Sequence, residues 1–247
     1  MINESNLDLI SILRISSTDD IRRSVKKGFD SLGKIGLGSE SVVAIKPNLC
    51  AIKSHETGAT TDPRVVEEIV RYLNNEYGVS DISIVESDGS RVLADIAFRL
   101  LGYEKLAKKM DLKLVNLSRS PFSLRSFPGN AFVKKVRVPR ILEQTDFLIS
   151  VPKIKTHIDC LLTCALKNQF GCNPFSRKTI YHTHLDDAIV DLSTIFKPDM
   201  VVVDGNVITS RGPATALPFT LKLAEMLVGK EAAQKVREKT LANIALK

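Results

Sequence analysis

Residues 147–157 read FLISVPKIKTH, and this stretch decides the fold that the sequence predicts. Its first five residues form a short apolar run, which is typical of a buried β-strand. Pro152 then breaks the strand, because proline has no N–H to continue a ladder of hydrogen bonds. Polar residues follow at once, so we expect a buried strand with functional groups at its carboxyl end.

Three other segments have the same strand-like character, namely 42–46, 82–86 and 200–204. Segments 113–117 and 133–138 are predicted as additional strands. In the second of these, valines alternate with basic residues as on a half-exposed edge strand. Helical patterns separate most of the strands. This alternation predicts an α/β fold with a largely parallel sheet flanked by helices, a Rossmann-like layering.

The clearest helix start is Asp62-Pro63, an N-cap residue followed by proline at the first helical position, and this helix is expected to run to Tyr77. Amphipathic patterns predict further helices over 92–101, 103–110, 158–170, 185–196 and 219–246. The stretch 118–130 is rich in Ser, Pro and Gly and is predicted as a mobile loop or insertion. We expect residues 1–247 to form a single domain with a helical tail over 214–247.

The net charge of +7 is concentrated in one segment of the chain. Between Glu104 and Arg140 there are ten Lys or Arg residues and two acidic residues, which indicates a basic insertion around 104–140. Such a segment can bind nucleic acid or anionic lipid, or can be a solvated face. Its few aromatic residues favour the solvated face, because aromatic rings are needed to stack on bases.

Targeting signals and cysteine usage predict a soluble, cytoplasmic protein without membrane contact. The first residues are acidic where a signal peptide is basic, and no apolar run approaches about 18 residues. Four cysteines are too few and too clustered for a disulfide framework. Cys160 and Cys164 are four residues apart and Cys172 follows, which is not the spacing of ferredoxin-type clusters. An iron–sulfur cluster bound by this chain is therefore not expected.

Polar residues follow all four of the best predicted strands. Because the carboxyl ends of parallel strands share one edge of a sheet, and ligands of open α/β sheets bind there, these residues are expected to form one site. Cations that lie together are costly unless an anion, or a metal with anionic ligands, lies among them. The sequence therefore predicts an anion-binding site at this edge.

The residue types suggest different roles within this site. Lysines and an arginine can neutralise a carboxylate or phosphate, and amides can donate directed hydrogen bonds; the proposed ligand-binding residues are Lys46, Asn48, Lys153, Lys167, Asn168 and Arg211. A desolvated lysine can act as a base or nucleophile, and histidine and aspartate can move protons; the proposed catalytic residues are Lys155, His157 and Asp88. Each lysine alone could equally cover apolar surface, and each Asp or Asn beside glycine or proline could be a turn residue.

Three of the four histidines lie close together in the sequence, at 157, 182 and 184. Imidazole and carboxylate ligands suit a borderline divalent metal, so His157, His182 and Asp204 are predicted as a metal site. The spacing matches no strict ligand motif, and hydrogen-bonded histidines near a helix start remain the alternative. The cofactor is unknown, and a divalent metal is the candidate.

The chain resembles the uncharacterised family called domain of unknown function 362, whose members are often fused to ferredoxin-like iron–sulfur domains. The matching pieces are, in order, IKPNL (45–49), TDP (61–63), ESD (86–88), LGY (101–103), VPKIKTH (151–157), LTCALKNQFG (162–171), YH (181–182), AIVDL (188–192), VDG (203–205) and GP (212–213). The resemblance covers about 40–213 and implies an α/β fold whose recurrent motif positions coincide with the polar residues chosen above. It implies no established reaction.

The tail beyond the Gly-Pro turn departs from the family's pattern, so a homo-oligomer that completes the site is an alternative to a site complete in one chain. The first functional hypothesis is an enzyme or cofactor-binding protein that holds an anionic small molecule, with or without a divalent metal. The alternatives are an accessory or electron-transfer-linked protein that docks a ferredoxin-like partner through 104–140, and a nucleic-acid binder that uses the same segment. The residues do not decide whether the protein is an enzyme.

Overall fold

The computed structural model describes residues 10–13, 19–127, 131–157, 161–204 and 207–211, together with Gln234. Its strands are β1 (Ile10–Leu13), β2 (Val43–Pro47), β3 (Ile82–Glu86), β4 (Lys113–Asn116), β5 (Phe122–Ser126), β6 (Lys135–Pro139), β7 (Phe147–Val151), β8 (Lys155–His157), β9 (Leu161–Thr163), β10 (Met200–Val203) and β11 (Val207–Arg211). Its helices are α1 (Asp19–Ser31), α2 (Pro63–Tyr77), α3 (Ala94–Leu100), α4 (Tyr103–Met110), α5 (Arg140–Glu143), α6 (Ala165–Gln169) and α7 (Leu185–Ile195).

The main sheet has seven strands in the order β1-β11-β10-β7-β2-β3-β4. The five strands from β10 to β4 are parallel, and β11 is antiparallel to both of its neighbours. Every residue of β2, β3, β7 and β10 is buried, as expected for parallel strands covered on both faces. The predicted α/β fold with a largely parallel sheet is confirmed.

The strand order reverses between β2 and β7. From β2 the chain builds outward through β3 to β4, and then returns to the other side of β2 to form β7 and β10. In the register of the central pair, Lys46 lies opposite Ser150 and Pro47 opposite Val151. A crevice opens beyond the carboxyl ends of strands at such a switch point, so the fold itself indicates where a ligand would bind.

Alternate residues of each central strand pack into different layers of the core. Val43 and Ile45 of β2 join the cluster that contains the buried residues of α1 to α4. Ala44, between them, joins a second cluster with α7 and the β5–β6 hairpin. The sheet is therefore flanked on both faces, and its carboxyl edge is the part left for polar chemistry.

Helix α2 begins and ends as the sequence predicts. The Asp62 carboxylate caps it by accepting a hydrogen bond from the Arg64 N–H at 2.9 Å, and Pro63 occupies the first turn. Gly78 ends the helix with a φ of 69°, a conformation that favours glycine, and its N–H bonds to the Asn74 carbonyl. The buried Tyr103, at the start of α4, donates to the Thr61 carbonyl at 3.1 Å. This bond links α4 to the residue that precedes the Asp62 cap of α2.

Two local predictions are wrong. The segment 158–170 was expected to be one helix, but Leu161–Thr163 forms β9, which pairs antiparallel with β8, and the helix occupies only Ala165–Gln169. Its apolar spacing suits a helix, yet pairing with β8 is a tertiary contact that spacing does not reveal. The stretch 118–130 was predicted as a mobile loop or insertion; the loop is wrong for Phe122–Ser126, which form β5 and pair with β6 in a sheet separate from the main one. The insertion stays a prediction.

The basic segment 104–140 spans two structural settings. Its first part forms α4 and the edge strand β4 of the main sheet, and three basic side chains there make ion pairs with acids, such as Lys109 with Glu67 and Lys113 with Asp81. Its second part contains the separate β5–β6 hairpin, where Arg125 pairs with Glu143. The positive charge of this segment is therefore partly compensated where it joins the sheet.

The predicted helical tail, 214–247, lies outside the described residues except for Gln234. Within the described part of the chain, none of the helices combines the length and the hydropathy needed to span a bilayer. The predicted cytoplasmic location stays a prediction.

The Asp62 cap makes a pH-dependent contribution to stability that can be measured. Burial raises the pKa of Asp62, but the hydrogen bonds from the Arg64 side chain and backbone outweigh it and lower this pKa below its ordinary value. A lowered pKa stabilises the fold above the ordinary value of 3.8, and this stabilisation is lost as the pH falls through the folded-state pKa. We expect Asp62→Asn to reduce the free energy of unfolding by about 1 kcal/mol at neutral pH, and by less below the ordinary value.

Urea unfolding of wild type and variant, at neutral pH and below the ordinary aspartate pKa, tests this expectation. Asp111→Asn is the matched control, because Asp111 is exposed and has a left-handed φ of 54° that asparagine also adopts. If Asp62→Asn lowers the free energy of unfolding by the same amount at both pH values, the assigned ion pairing is contradicted.

Candidate functional site

A buried ion pair lies at the carboxyl ends of β2 and β3. The Lys46 side chain is 1% exposed, and its Nζ lies 2.8 Å from Glu86 Oε2. The same ammonium donates to the Pro47 carbonyl at 2.6 Å and to Asn168 Oδ1 at 3.4 Å. Glu86 also accepts from the backbone N–H groups of Ser87 and Leu49. The charge of Lys46 is thus compensated within the protein, and its predicted ligand-binding role stays a prediction beside this structural one.

Gly171 closes over this ion pair. A Cβ at this position would lie 2.8 Å from both Cε and Nζ of Lys46 and 2.9 Å from Glu86 Oε1. Its carbonyl also accepts a short hydrogen bond from the Ser87 hydroxyl. The glycine of the LKNQFG segment is therefore required by close approach of the backbone to the pair.

Asn168 joins the two strands at the switch point. Its Nδ2 donates to the Lys46 carbonyl at 2.9 Å and to Ser150 Oγ at 3.0 Å, and these two residues face each other in the β2–β7 register. Its Oδ1 accepts from Asn48 Nδ2 at 3.3 Å. The prediction that Lys46, Asn48 and Asn168 lie together agrees with this geometry, in which the amides connect protein groups to one another.

Lys155 lies on the outer side of the same cluster. Its Nζ donates to Asn48 Oδ1 at 2.8 Å, contacts Cys50 Sγ at 2.9 Å and bonds to the Ala59 carbonyl. No carboxylate is among its partners in the described part of the chain. Lys155 therefore brings a positive charge to the crevice without contacting a described carboxylate.

Lys153 and Asp204 continue the pairing of β7 and β10 beyond the strands. A parallel bridge joins them, and Lys153 Nζ lies 3.1 Å from Asp204 Oδ2. The same oxygen accepts from the Asp62 backbone N–H at 2.7 Å. Asp204 thus links three segments at the crevice, and Lys153 has a largely buried carboxylate as its partner.

Asp88 organises the loop that follows β3. Its Oδ1 accepts from the Ala94 N–H at 2.9 Å and from Asn116 Nδ2 at 3.0 Å. Its own N–H donates to Ser118 Oγ. These contacts hold the loop against α3 and β4. The proposed catalytic role of Asp88 stays a prediction beside this structural one.

Lys178 was missed by sequence reasoning. Its Nζ donates to Ser87 Oγ at 2.5 Å and to the Asp88 carbonyl at 2.9 Å, directly after β3. Burial lowers the pKa of Lys178 to about 8; Glu86 opposes this shift and Lys46 adds to it. Lys178 precedes His182 by four residues, but nothing in its local sequence indicates that it reaches the strand ends.

Arg211 does not lie at this edge of the sheet. It was proposed as a ligand-binding residue of the site at this edge, but residues 207–211 form β11, which returns antiparallel along β10. Arg211 pairs with Met200 at the amino end of β10, whereas Val207 follows the carboxyl end. At about 3.3 Å per residue, its backbone is roughly 13 Å from that edge. Its side chain lies outside the described part of the structure.

The remaining predicted residues are only partly placed. His182 is exposed in the 3₁₀ helix Lys178–His184, and Lys167 lies 4.7 Å from the centre of the Phe170 ring. The side chain of His157, which ends β8, is outside the described residues. Among the side chains that are described, no group of three or more His, Cys, Asp or Glu could hold a metal ion. The metal site that includes His157 stays a prediction.

The cysteines differ in their surroundings. Cys164 and Cys172 are buried, and burial raises the pKa of each thiol to about 12. Such thiols are poor metal ligands and nucleophiles. Cys50 is exposed beside Lys155, and Cys160 lies outside the described residues.

A family model described as "Domain of unknown function (DUF362)" matches residues 43–233. The match continues past residue 213, where the sequence resemblance was expected to end. Among curated relatives, the thylakoid-associated protein sll1697 of Synechocystis sp. is 24% identical over 208 residues, which are 79% of this chain and 62% of that protein. Protein dj-1beta of Drosophila melanogaster is 67% identical over 36 residues, 15% of this chain and 19% of that protein.

Among solved structures, the lactate racemase apoprotein from Thermoanaerobacterium thermosaccharolyticum matches with a TM-score of 0.51 and 12% identity. The match covers 79% of this chain and 52% of that chain. At this identity the likeness shows the fold alone. The chain spans less than two thirds of the length of each of these three proteins.

The close approach of Gly171 can be tested by adding one methyl group. We expect Gly171→Ala to lower the free energy of unfolding by about 1–3 kcal/mol, because the new Cβ overlaps buried atoms that are held by an ion pair. Gly38→Ala is the control, since a Cβ there meets no atom within 4 Å. Urea denaturation gives the free energy of unfolding of each variant. Equal values for Gly171→Ala and Gly38→Ala would show that the Lys46–Glu86 ion pair shifts to make room for the methyl group.

Proposed function

Because the chain belongs to the family of domain of unknown function 362, and because its polar strand ends meet at a topological switch point, we propose that it binds an anionic small molecule there. The ligand would carry a carboxylate or phosphate and would occupy the crevice beyond β2, β3, β7 and β10. The observation that carries this proposal is the hydrogen bonding of Lys155, whose ammonium contacts no carboxylate among the described residues.

The balance of charge at the crevice supports an anion rather than a cation. Lys46 and Lys153 each lie beside one carboxylate, Glu86 and Asp204 respectively. Lys155 and Lys178 donate to carbonyl, amide and hydroxyl oxygens, which carry no formal charge. The Asp88 carboxylate, which accepts from uncharged donors, offsets one of these two charges, and the other is an excess positive charge that an anionic ligand would neutralise.

The residues then divide into two groups. Lys155 would contact the anion directly, and Asn48, which accepts from Lys155 at 2.8 Å, would orient it. Lys46, Asn168 and Gly171 hold the strand ends in place behind them. His157, in the same short strand as Lys155, is proposed as the acid or base.

The structural neighbour supports a small carboxylate as the first ligand to try. That neighbour is a lactate racemase in its apoprotein form, and lactate is a 2-hydroxy carboxylate. The neighbour shares the fold at 12% identity, so the choice of ligand class is part of this proposal. A divalent metal at His157, His182 and Asp204 stays compatible with it.

Substitution of Lys155 tests the anion site. We expect Lys155→Ala to weaken the binding of lactate, pyruvate or inorganic phosphate by several-fold or more without lowering the melting temperature, because a charge-assisted contact is lost while the core is unchanged. Isothermal titration calorimetry gives the affinity. Lys105→Ala, an exposed lysine on α4, is the control. Unchanged affinity of Lys155→Ala for every one of these anions would overturn the proposal.

A second candidate function is favoured by the outer face of the β5–β6 hairpin. Leu124 is 66% and Phe122 is 43% exposed, and Leu124 lies opposite Arg137 in the strand register. The guanidinium of Arg137 lies 4.7 Å from the centre of the Phe122 ring. Lys135 shares this face, and neither strand contains an acidic residue. We propose that this apolar and basic face docks an acidic, ferredoxin-like electron carrier.

Charge reversal on the hairpin tests the second candidate. The double variant Lys135→Glu/Arg137→Glu should weaken binding to a purified acidic ferredoxin at least tenfold at low salt, and wild-type binding should weaken as salt rises from roughly 50 to 200 mM. The matched control is Lys105→Glu/Lys108→Glu on α4. An equal loss of ferredoxin affinity in both double variants would contradict a specific docking face on the hairpin. Binding to random-sequence duplex DNA without binding to ferredoxin would favour the nucleic-acid alternative.

A further inference from the structure

Lys178 differs from the other lysines of the crevice in how its ammonium is held. Its side chain is half-buried, and Nζ contacts Ser87 Oγ at 2.5 Å and the Asp88 carbonyl at 2.9 Å. By contrast, Lys46 is fully buried, has three acceptors and is paired with Glu86. The Lys178 amine is therefore partly accessible to a ligand and partly removed from water. A reactive amine needs both conditions.

Burial, rather than the charged groups around it, favours the neutral form of Lys178. Burial is the largest influence and lowers its pKa to about 8. Glu86 and Cys172 oppose this shift, whereas the cations Lys46 and Lys167 support it. With a pKa of about 8, roughly a fifth of the amine is neutral at pH 7.4, against about a thousandth for an ordinary lysine.

We propose that Lys178 is an amine nucleophile that forms a Schiff base with the carbonyl group of a small anionic aldehyde or ketone, such as a 2-oxo acid, bound in the crevice. The inference rests on the proposed function, because Lys155 supplies the charge that attracts the carboxylate. It goes beyond that function by assigning a covalent step and a class of substrate. Nucleophilic lysines in other proteins are activated in the same way, by dehydration or by a neighbouring cation.

The step is balanced without any oxidant or reductant. The lone pair of Nζ forms a bond to the carbonyl carbon while the C=O π bond breaks, and a proton moves from nitrogen to oxygen to give a carbinolamine. The carbinolamine then loses one water as the C=N bond forms. The Ser87 hydroxyl, at 2.5 Å from Nζ, is placed to accept and return the proton during these transfers.

Borohydride trapping of the full chain tests this inference. Pyruvate is the probe, since reduction of its imine leaves a stable carboxyethyl group on the lysine that peptide mass spectrometry locates. We expect wild type to carry this group mainly at Lys178, and Lys178→Arg to lose at least nine tenths of the labelling. Lys105→Arg is the matched control on an exposed lysine. Equal labelling of several lysines, or undiminished labelling of Lys178→Arg, would overturn the inference.

The dependence of trapping on pH gives a second measurement that needs no variant. Labelling at Lys178 should rise to half its maximum near pH 8, whereas labelling of exposed lysines should keep rising toward their ordinary value of 10.5. A profile for Lys178 that follows the exposed lysines would contradict the proposal.

Lactate separates this inference from the proposed function, because it has a carboxylate but no carbonyl group that can form an imine. If lactate binds in a Lys155-dependent way and pyruvate is not trapped at Lys178, the inference fails and the anion site stands. If pyruvate is trapped at Lys178 but no anion depends on Lys155, the proposed anion contact fails instead.

Discussion

The ion pair between Lys46 and Glu86 is the constraint on which the candidate site depends. Removing two charges from water costs several kcal/mol per ion, and only close pairing with further hydrogen bonds offsets this cost. Here the ammonium has three acceptors, and the carboxylate accepts two backbone N–H groups besides the lysine. Together these bonds join the ends of two strands, the residues that follow them and one helix. The ends of β2 and β3, the following loops and α6 are therefore held in one arrangement, with Gly171 directly against the pair.

A second set of polar contacts extends this arrangement across the switch point. Thr61 accepts from the Asn48 N–H and donates to the Val151 carbonyl, so one hydroxyl connects the ends of β2 and β7 to the start of α2. Asn168 makes a similar connection between Lys46 of β2 and Ser150 of β7. Most polar residues at this edge are thus engaged with one another, and here Lys155 and Lys178 donate to uncharged groups of the described residues rather than to a carboxylate.

Part of this arrangement could be predicted from the sequence, because parallel strands with buried faces have a clear apolar signature and their carboxyl ends share an edge. That rule is enough to bring Lys46, Asn48 and Lys155 together. It could not identify Lys178, which reaches the edge from a 3₁₀ helix far along the chain. It also placed Arg211 on the wrong edge, because an antiparallel return of the chain leaves no mark in local periodicity. Contacts between distant segments, rather than local preference, decided these cases.

The edge strand β1 pairs with β11, a strand from the far end of the described chain. Ile10 pairs with Ser210, so the first described strand pairs with a strand about two hundred residues later. Loop closure over that length is entropically costly and slow, and a chain emerges from the ribosome with its amino-terminal part first. During synthesis β1 cannot pair in this way before β11 has been made, by which point the residues of all five parallel strands have been made. The sheet is therefore completed at the edge opposite β4 only late in the synthesis of the described residues.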